Sequence, residues 1–221
     1  MKEIRVKNFP EFHETLNHKS KFTLYRGQSD ASWDLIPKAF RMPYIKITDD
    51  SILQYFTRNS LPYLKIIPEN KWDWLTVAQH YGIPTRLLDW TSSPLIAAFF
   101  AVSDDYEGDA SVFVLEFNDN QIIETSIAIN PFDLKEIGIL MPKAHTERVI
   151  RQKANFTVHP HPHLKSQFYE NVTKIVIDKT YRRKLKGELR HYGITHLDVL
   201  GDMEGLAKYI NWRIINDGDL Y

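Results

Sequence analysis

The sequence predicts an α+β protein, a mixed sheet with packed helices, and three observations predict it. The chain closes on strand, helix, strand, helix, read at Lys174–Asp178, Thr180–Tyr192, Ile194–Leu200 and Met203–Ile214, after an otherwise mixed order of elements. Ser111–Phe117, SVFVLEF, is an apolar run of strand length, expected to be buried on both faces. Pro94–Val102 carries no polar residue, and a helix apolar all round is buried. It is too short to cross a bilayer, which takes about 20 residues, so it is read as a core helix.

Taken in order, Met1–Phe9 reads as a short edge strand or a bare start. Asn8, Phe9, Phe12 and Leu16 then suggest a short capped helix. Lys21–Arg26 alternates as a strand and stops at Gly27, with Trp33–Ile36 as its expected hairpin partner. Asp50–Ser60 reads as a helix with Ile52, Leu53, Tyr55 and Phe56 inward, ended by Pro62. Trp74, Val77, Ala78 and Tyr81 form the i, i+3, i+4, i+7 face of the next helix. Gly82 and Pro84 stop it, because glycine accepts the left-handed cap and proline cannot continue. Thr85–Ser93 is extended and polar, and Ser93-Pro94 starts the core helix with a cap and a proline that loses no bond. Asp104–Gly108 is a turn, Ile122–Ile129 is extended, and Pro131 opens a loop or short helix. Arg148–Val158 is read as extended, and His159, His161 and His163 as an exposed, proline-interrupted loop. In the last helix Met203, Leu206, Ala207, Ile210 and Ile214 share one apolar face.

The 221 residues, 43% of them hydrophobic, suffice for one sizeable core. Lys+Arg and Asp+Glu are 28 each, and zero net charge excludes a dedicated non-specific nucleic-acid binder. The helix at 180–192 has a basic face of Arg182, Arg183, Lys184, Lys186 and Arg190 that could touch a phosphate backbone, but with zero net charge a solvated helix face is the favoured reading. Without cysteine there is no disulfide, thiol nucleophile or thiolate metal site. MKEIRVKNFPEF lacks the apolar run of a signal peptide. The expectation is a cytoplasmic protein with no membrane association.

Thr85, Arg86, Asp89, Thr91, Ser92 and Ser93 precede a buried helix whose free N–H groups and dipole favour an anion such as phosphate. The structural alternative pairs Arg86 with Asp89 and leaves the serines as caps.

Tyr25-Arg26-Gly27-Gln28, together with the unbroken string Gln79–Thr91, resembles the FRG-domain family, named for Phe-Arg-Gly, with Tyr25 in the place of Phe. The resemblance is strongest over 22–117. It continues more loosely at Arg148, Gln152 and Phe156, and at Asp202–Ala207, where Leu200-Gly201-Asp202 replaces the family's Phe-Pro-Asp. On this resemblance residues 1–221 are read as a single FRG-type domain; the family name itself implies no reaction.

The order Arg26, Thr91-Ser92-Ser93, Glu204 is also similar to the ADP-ribosyltransferases of the Arg–Ser–Glu type, although only Asp202-x-Glu204 stands where that family has Gln/Glu-x-Glu. This second resemblance implies an ADP-ribosyltransferase-like architecture with NAD as substrate and no metal. Breaking the nicotinamide–ribose bond builds positive charge on the sugar, as in glycoside cleavage. Arg26, Ser92 and Glu204 are the expected catalytic residues: Arg26 on the pyrophosphate, Ser92 on the ribose, and Glu204 against the developing charge. Gln79, His80, Thr85, Arg86, Thr91, Ser93 and Gln152 are the expected binding residues. The acceptor is then a macromolecule. Toxin, phage-defence effector and housekeeping roles all stay open, with an antagonist protein as a further expected partner. Two other readings compete. One is a non-catalytic module holding a nucleotide or nucleic-acid phosphate. The other is a metal-assisted nuclease built on His159, His161 and His163.

Overall fold

A computed structural model describes residues 1–17, 22–125, 129–143, 147–160, 171–216 and 218. Among them seven strands form one sheet in the order β1-β7-β4-β2-β3-β6-β5. In chain order these are β1 (Lys2–Val6), β2 (Phe22–Gln28), β3 (Leu87–Thr91), β4 (Ala110–Phe117), β5 (Gly138–Leu140), β6 (Ala154–Val158) and β7 (Val172–Ile177). β1 runs parallel to β7, and every other pairing is antiparallel. The helices are α1 (Phe9–Glu14), α2 (Asp49–Ser60), α3 (Lys71–His80), α4 (Pro94–Val102), α5 (Glu147–Arg151), α6 (Arg182–His191), α7 (His196–Leu200) and α8 (Met203–Asn216). The class is α+β.

Local chemistry sets the helix ends. Asn8 accepts from the Glu11 N–H at the start of α1, and Asn70 accepts from Asp73 at the start of α3. Ser93 accepts from Ile96, with Pro94 as the first residue of α4. Helix α4 is the centre of the larger core. It packs with α6 and with Tyr25, Val112, Val114, Ile175 and Ile177 from β2, β4 and β7. A second core lies over the other half of the sheet, where Leu53 of α2 and Trp72, Leu75 and Ala78 of α3 meet Leu87, Phe156 and Val158. The alternate strand residues Leu24, Leu88, Trp90, Phe113, Leu115 and Phe117 form a third cluster.

The two halves meet at β2 and β3, and there the sheet is barely joined. Phe22–Gln28 pair with Phe117–Ser111 along their whole length, whereas β2 and β3 share the single register pair Tyr25 with Thr91. Beyond that pair the strands part.

Several expectations are corrected. Ile194–Leu200 is not a strand: Thr195 and Asp198 form a reciprocal capping box, and the segment folds as α7, closed by Gly201 at φ 69°. Trp33–Ile36 forms no hairpin with β2, whose two edges are taken by β3 and β4. Arg148–Val158 splits into α5 and β6. The inward face of α3 carries Trp72, Leu75 and Thr76, while Tyr81 is exposed; Tyr55 of α2 also faces solvent. In α8 it is Gly205 that is buried, and Met203, Ile210 and Ile214 are exposed. His159 is fully buried, 3.0 Å from the Thr157 hydroxyl, rather than in an exposed loop. His161 and His163 lie outside the described residues. Among the described residues no helix is long and apolar enough to cross a membrane.

Candidate functional site

Where β2 and β3 separate, a cavity of about 460 Å³ opens between the half of the sheet covered by α4 and the half covered by α3. That size lies within the range of small-molecule sites, about 300–1,000 Å³. Its wall takes Arg26 and Gln28 from β2, Asp89 and Thr91 from β3, Gln79 and His80 from α3, Arg148 from α5 and Gln152 from the turn just after it. Trp33 and Arg41 come from the long connection between β2 and α2, and Phe100 and Asp104 from the end of α4 and just beyond it.

A chain of hydrogen bonds fixes one side of the cavity. Arg26 Nη1 donates to the Asp89 carbonyl at 2.7 Å and lies 3.6 Å from the Asp89 carboxylate. Gln79 Nε2 donates to the same carboxylate at 2.8 Å. The Thr85 hydroxyl donates to Gln79 Oε1 at 2.6 Å and accepts from the Leu87 N–H at 3.1 Å. Thr85 is buried behind Gln79 and orients its amide. The last turn of α3 is therefore locked to the first turns of chain around β3.

The cavity collects positive charge. Burial, and after it the neighbouring Arg26 guanidinium, hold Arg41 below its usual range. Arg41 is kept in place by bonds from its Nε and Nη2 to the Ile36 carbonyl. Arg148 adds a third guanidinium. Burial and then Arg148 keep the His80 pKa below 6.5, against the opposing pull of Asp202, so the imidazole is neutral at pH 7. Arginines brought close enough to repel one another fit an anion placed between them.

The structure thus brings together six of the residues expected from the sequence: Arg26, Gln79, His80, Thr91 and Gln152 in the wall, with Thr85 directly behind it. It does not bring the others. Arg86 is buried away from the cavity, with Nε and Nη2 on the two Asp49 oxygens at 2.7 and 2.9 Å and Nη1 on the Pro131 carbonyl at 3.1 Å. Its guanidinium also lies 4.5 Å over the Phe132 ring. Asp49, not Asp89, is its partner, and its donors are committed to holding α2 on β3. Ser92 is exposed and lies outside the wall, and Ser93 caps α4. Glu204 is exposed on α8 and paired with Lys208 at 2.7 Å, so it does not meet Arg26 in the cavity. The basic face of α6 is reduced as well. Arg182 is turned inward onto the carbonyls of Ser29, Gly108 and Asp104, and Lys186 donates to the Ser103 carbonyl.

Wall residues that were not expected include Gln28, Trp33, Arg41, Asp104 and Arg148. The spacing Leu24-x-Arg26-x-Gln28 on one strand could have pointed to Gln28. Arg148 lay in the looser stretch of the family resemblance, and nothing local marked Trp33 or Arg41.

No curated protein and no solved structure matches the chain. The model of the FRG-domain family matches residues 21–110, which run from just before β2 to the first residue of β4. Arg26, Gln28, Arg41, Gln79, His80 and Asp89 all fall inside that span, while Arg148 and Gln152 reach the cavity from outside it. Over those residues the chain is similar to the FRG-domain family.

Proposed function

We propose that the cleft binds a phosphate-bearing nucleotide, with NAD as the first candidate, and that the chemistry is transfer of ADP-ribose to a macromolecular acceptor or to water. The observation that carries the reading is the convergence of Arg26, Arg41 and Arg148 on one cavity that also offers an indole face, the half-exposed Trp33. Guanidiniums grip pyrophosphate oxygens in a fork geometry, and an exposed aromatic face suits a base.

In that reaction the C1′–N bond breaks and its electron pair leaves with the nicotinamide nitrogen. The acceptor oxygen or nitrogen then bonds C1′, and its proton passes to a base or to solvent. The developing positive charge on the ribose needs a carboxylate beside it. Sequence order suggested Glu204 for that role. Within the cleft the carboxylate set against Arg26 is Asp89, held by Gln79, and the reading moves the role there. Neutral His80 serves as a hydrogen-bond partner for the ligand rather than as a second charge. This is the chemistry, and the proposed architecture, of the ADP-ribosyltransferases that the residue order resembles.

Calorimetric titration with pyrophosphate, ADP-ribose and NAD tests the binding, and nicotinamide release with and without cell lysate tests the reaction. Arg26→Ala is expected to weaken pyrophosphate about 10- to 100-fold, the range for a lost charge-assisted bond. Failure of the wild type to bind any of the three removes the reading. Binding without nicotinamide release in lysate leaves a nucleotide-binding module without turnover.

A further inference from the structure

We propose that Gln28 is the recognition residue of this cleft. It reads a planar group that presents a hydrogen-bond donor and an acceptor side by side: a primary carboxamide or the amino edge of adenine. The proposal rests on the phosphate-bearing ligand inferred above and names which part of that ligand the protein distinguishes.

Gln28 ends β2 and is only 4% exposed, yet among the described residues both Oε1 and Nε2 of its amide are buried without a hydrogen-bond partner. Burying a primary amide with neither end satisfied is unfavourable, and native proteins rarely tolerate it without a use. A methionine or leucine would fill the same volume at no such cost. Gln28 lines the cavity together with Arg26 and Gln152, whose Nε and Nε2 are likewise unpartnered among the described residues. Together these unpartnered atoms are three donors and a single acceptor. An acceptor-rich ligand satisfies Arg26 and Gln152, and only a ligand that also donates satisfies Gln28 Oε1. Residue placement explains why the amide is held there. Gly27 is pressed against the backbone of α4, where an added Cβ would overlap the Ala97 carbonyl and come within 2.6 Å of the Ala101 nitrogen. The strand is therefore anchored one residue before Gln28. Its cross-strand neighbour Ser111 is fully buried and supplies no bond to the amide.

A glutamine amide bonds the N6/N7 edge of adenine in a two-point contact, and a carboxamide offers the same pair of functions. Removing the donor from either group leaves Gln28 Oε1 facing a second acceptor. Hypoxanthine does this to adenine, and a carboxylate does it to a carboxamide.

The experiment is titration of the full chain with AMP against IMP, with nicotinamide mononucleotide against its nicotinic acid analogue, and with pyrophosphate. Wild type is expected to prefer the first member of one pair by about 5- to 150-fold, the range for one two-point contact. Which pair shows the preference identifies the group that is read. Gln28→Met is expected to abolish that preference, to leave pyrophosphate affinity unchanged, and to melt at or above the wild-type temperature. Equal affinities within both pairs for wild type overturn the proposal whether or not the variant folds, and so does a preference that survives in Gln28→Met. Pyrophosphate binding without any preference removes the role of Gln28 alone. Absence of pyrophosphate binding removes the anion reading of the cleft.

Discussion

Strand β2 has two edges, and they behave oppositely. Its β4 edge is paired from Phe22–Phe117 to Gln28–Ser111, while its β3 edge keeps only Tyr25–Thr91. On the closed edge, alternate residues feed two apolar clusters, one under α4 and one on the far face. At the open edge Arg26 and Gln28 of β2 and Asp89 of β3 meet Gln79 of α3, the residues that bear charge or amides. Apolar packing closes a sheet, and polar side chains fill the place where closure stops. The comparison teaches that stability and ligand chemistry sit on opposite edges of the same strand, so substitutions on each should separate the two.

The largest expected effect tests what holds the half beyond the gap. Arg86 and Asp49 form a buried two-point ion pair that also engages the Pro131 carbonyl. Removing one partner strands a buried charge, so Arg86→Ala should cost about 3–5 kcal/mol. Replacing both with apolar residues, Asp49→Leu with Arg86→Met, should recover most of that. Chemical denaturation measures both. A small loss for Arg86→Ala would mean that α2 and β3 are held by apolar packing alone.

Next comes the closed edge itself. Gly27→Ala places a Cβ against the α4 backbone, and backbone, unlike a side chain, has no rotamer to escape into. A loss of about 3 kcal/mol, the top of the usual overpacking range, is expected in thermal melts.

A pH titration gives the third test. His196 packs edge-on against Phe99 at 4.9 Å, and burial, then the nearby Lys186 and Lys208 charges, lower its pKa to about 4. The unfolded chain takes up this proton near pH 6.5 and the folded one only near 4. Stability is therefore full above pH 6.5, declines as pH falls from 6.5 to 4, and changes no further through this group below that. Because the ring is only half buried and solvent screens it, the decline is about 1–2 kcal/mol rather than the full value of the shift. His196→Gln should flatten that slope, while a cleft substitution such as Arg41→Ala should leave it alone.

What the sequence could reveal followed from the range of each signal. Ser93-Pro94 and the unbroken apolar run to Val102 placed α4 to the residue, because caps and burial act within one turn. Ile194–Leu200 alternates like a strand, and the capping pair Thr195 and Asp198, three residues apart, outweighed that alternation. Helix α3 has two stripes to offer. Tryptophans at 72 and 74 make either one plausible, and the choice of Trp72, Leu75 and Thr76 depends on a sheet the helix cannot encode. The cleft was legible for Arg26, Gln79, His80 and Gln152, which lie in motif strings. Arg86 belonged to the same string and was misassigned because its partner Asp49 is distant in sequence. Glu204 was placed by residue order alone, and order carries no distance: its helix leaves it exposed beside Lys208.

The smallest effect on stability is the sharpest test of the open edge. Asp89 is 57% exposed at its side chain, and an exposed ion pair such as that with Arg26 contributes under about 1 kcal/mol. Asp89→Asn keeps an oxygen for the Gln79 amide and removes the negative charge facing Arg26. Stability should therefore hardly move. Pyrophosphate, relieved of a competing carboxylate, should bind about 2- to 5-fold more tightly, the value of one exposed charge pair. If Asp89 also steadies the ribose cation, nicotinamide release should fall while pyrophosphate affinity rises. Uniform binding energy cannot produce that opposite movement, because an interaction made equally with ground and transition states changes affinity without slowing the chemical step. A joint loss of folding, binding and release would instead make Asp89 part of the scaffold. The gap between β2 and β3 would then be held open by structural polar contacts, with no ligand needed to account for them.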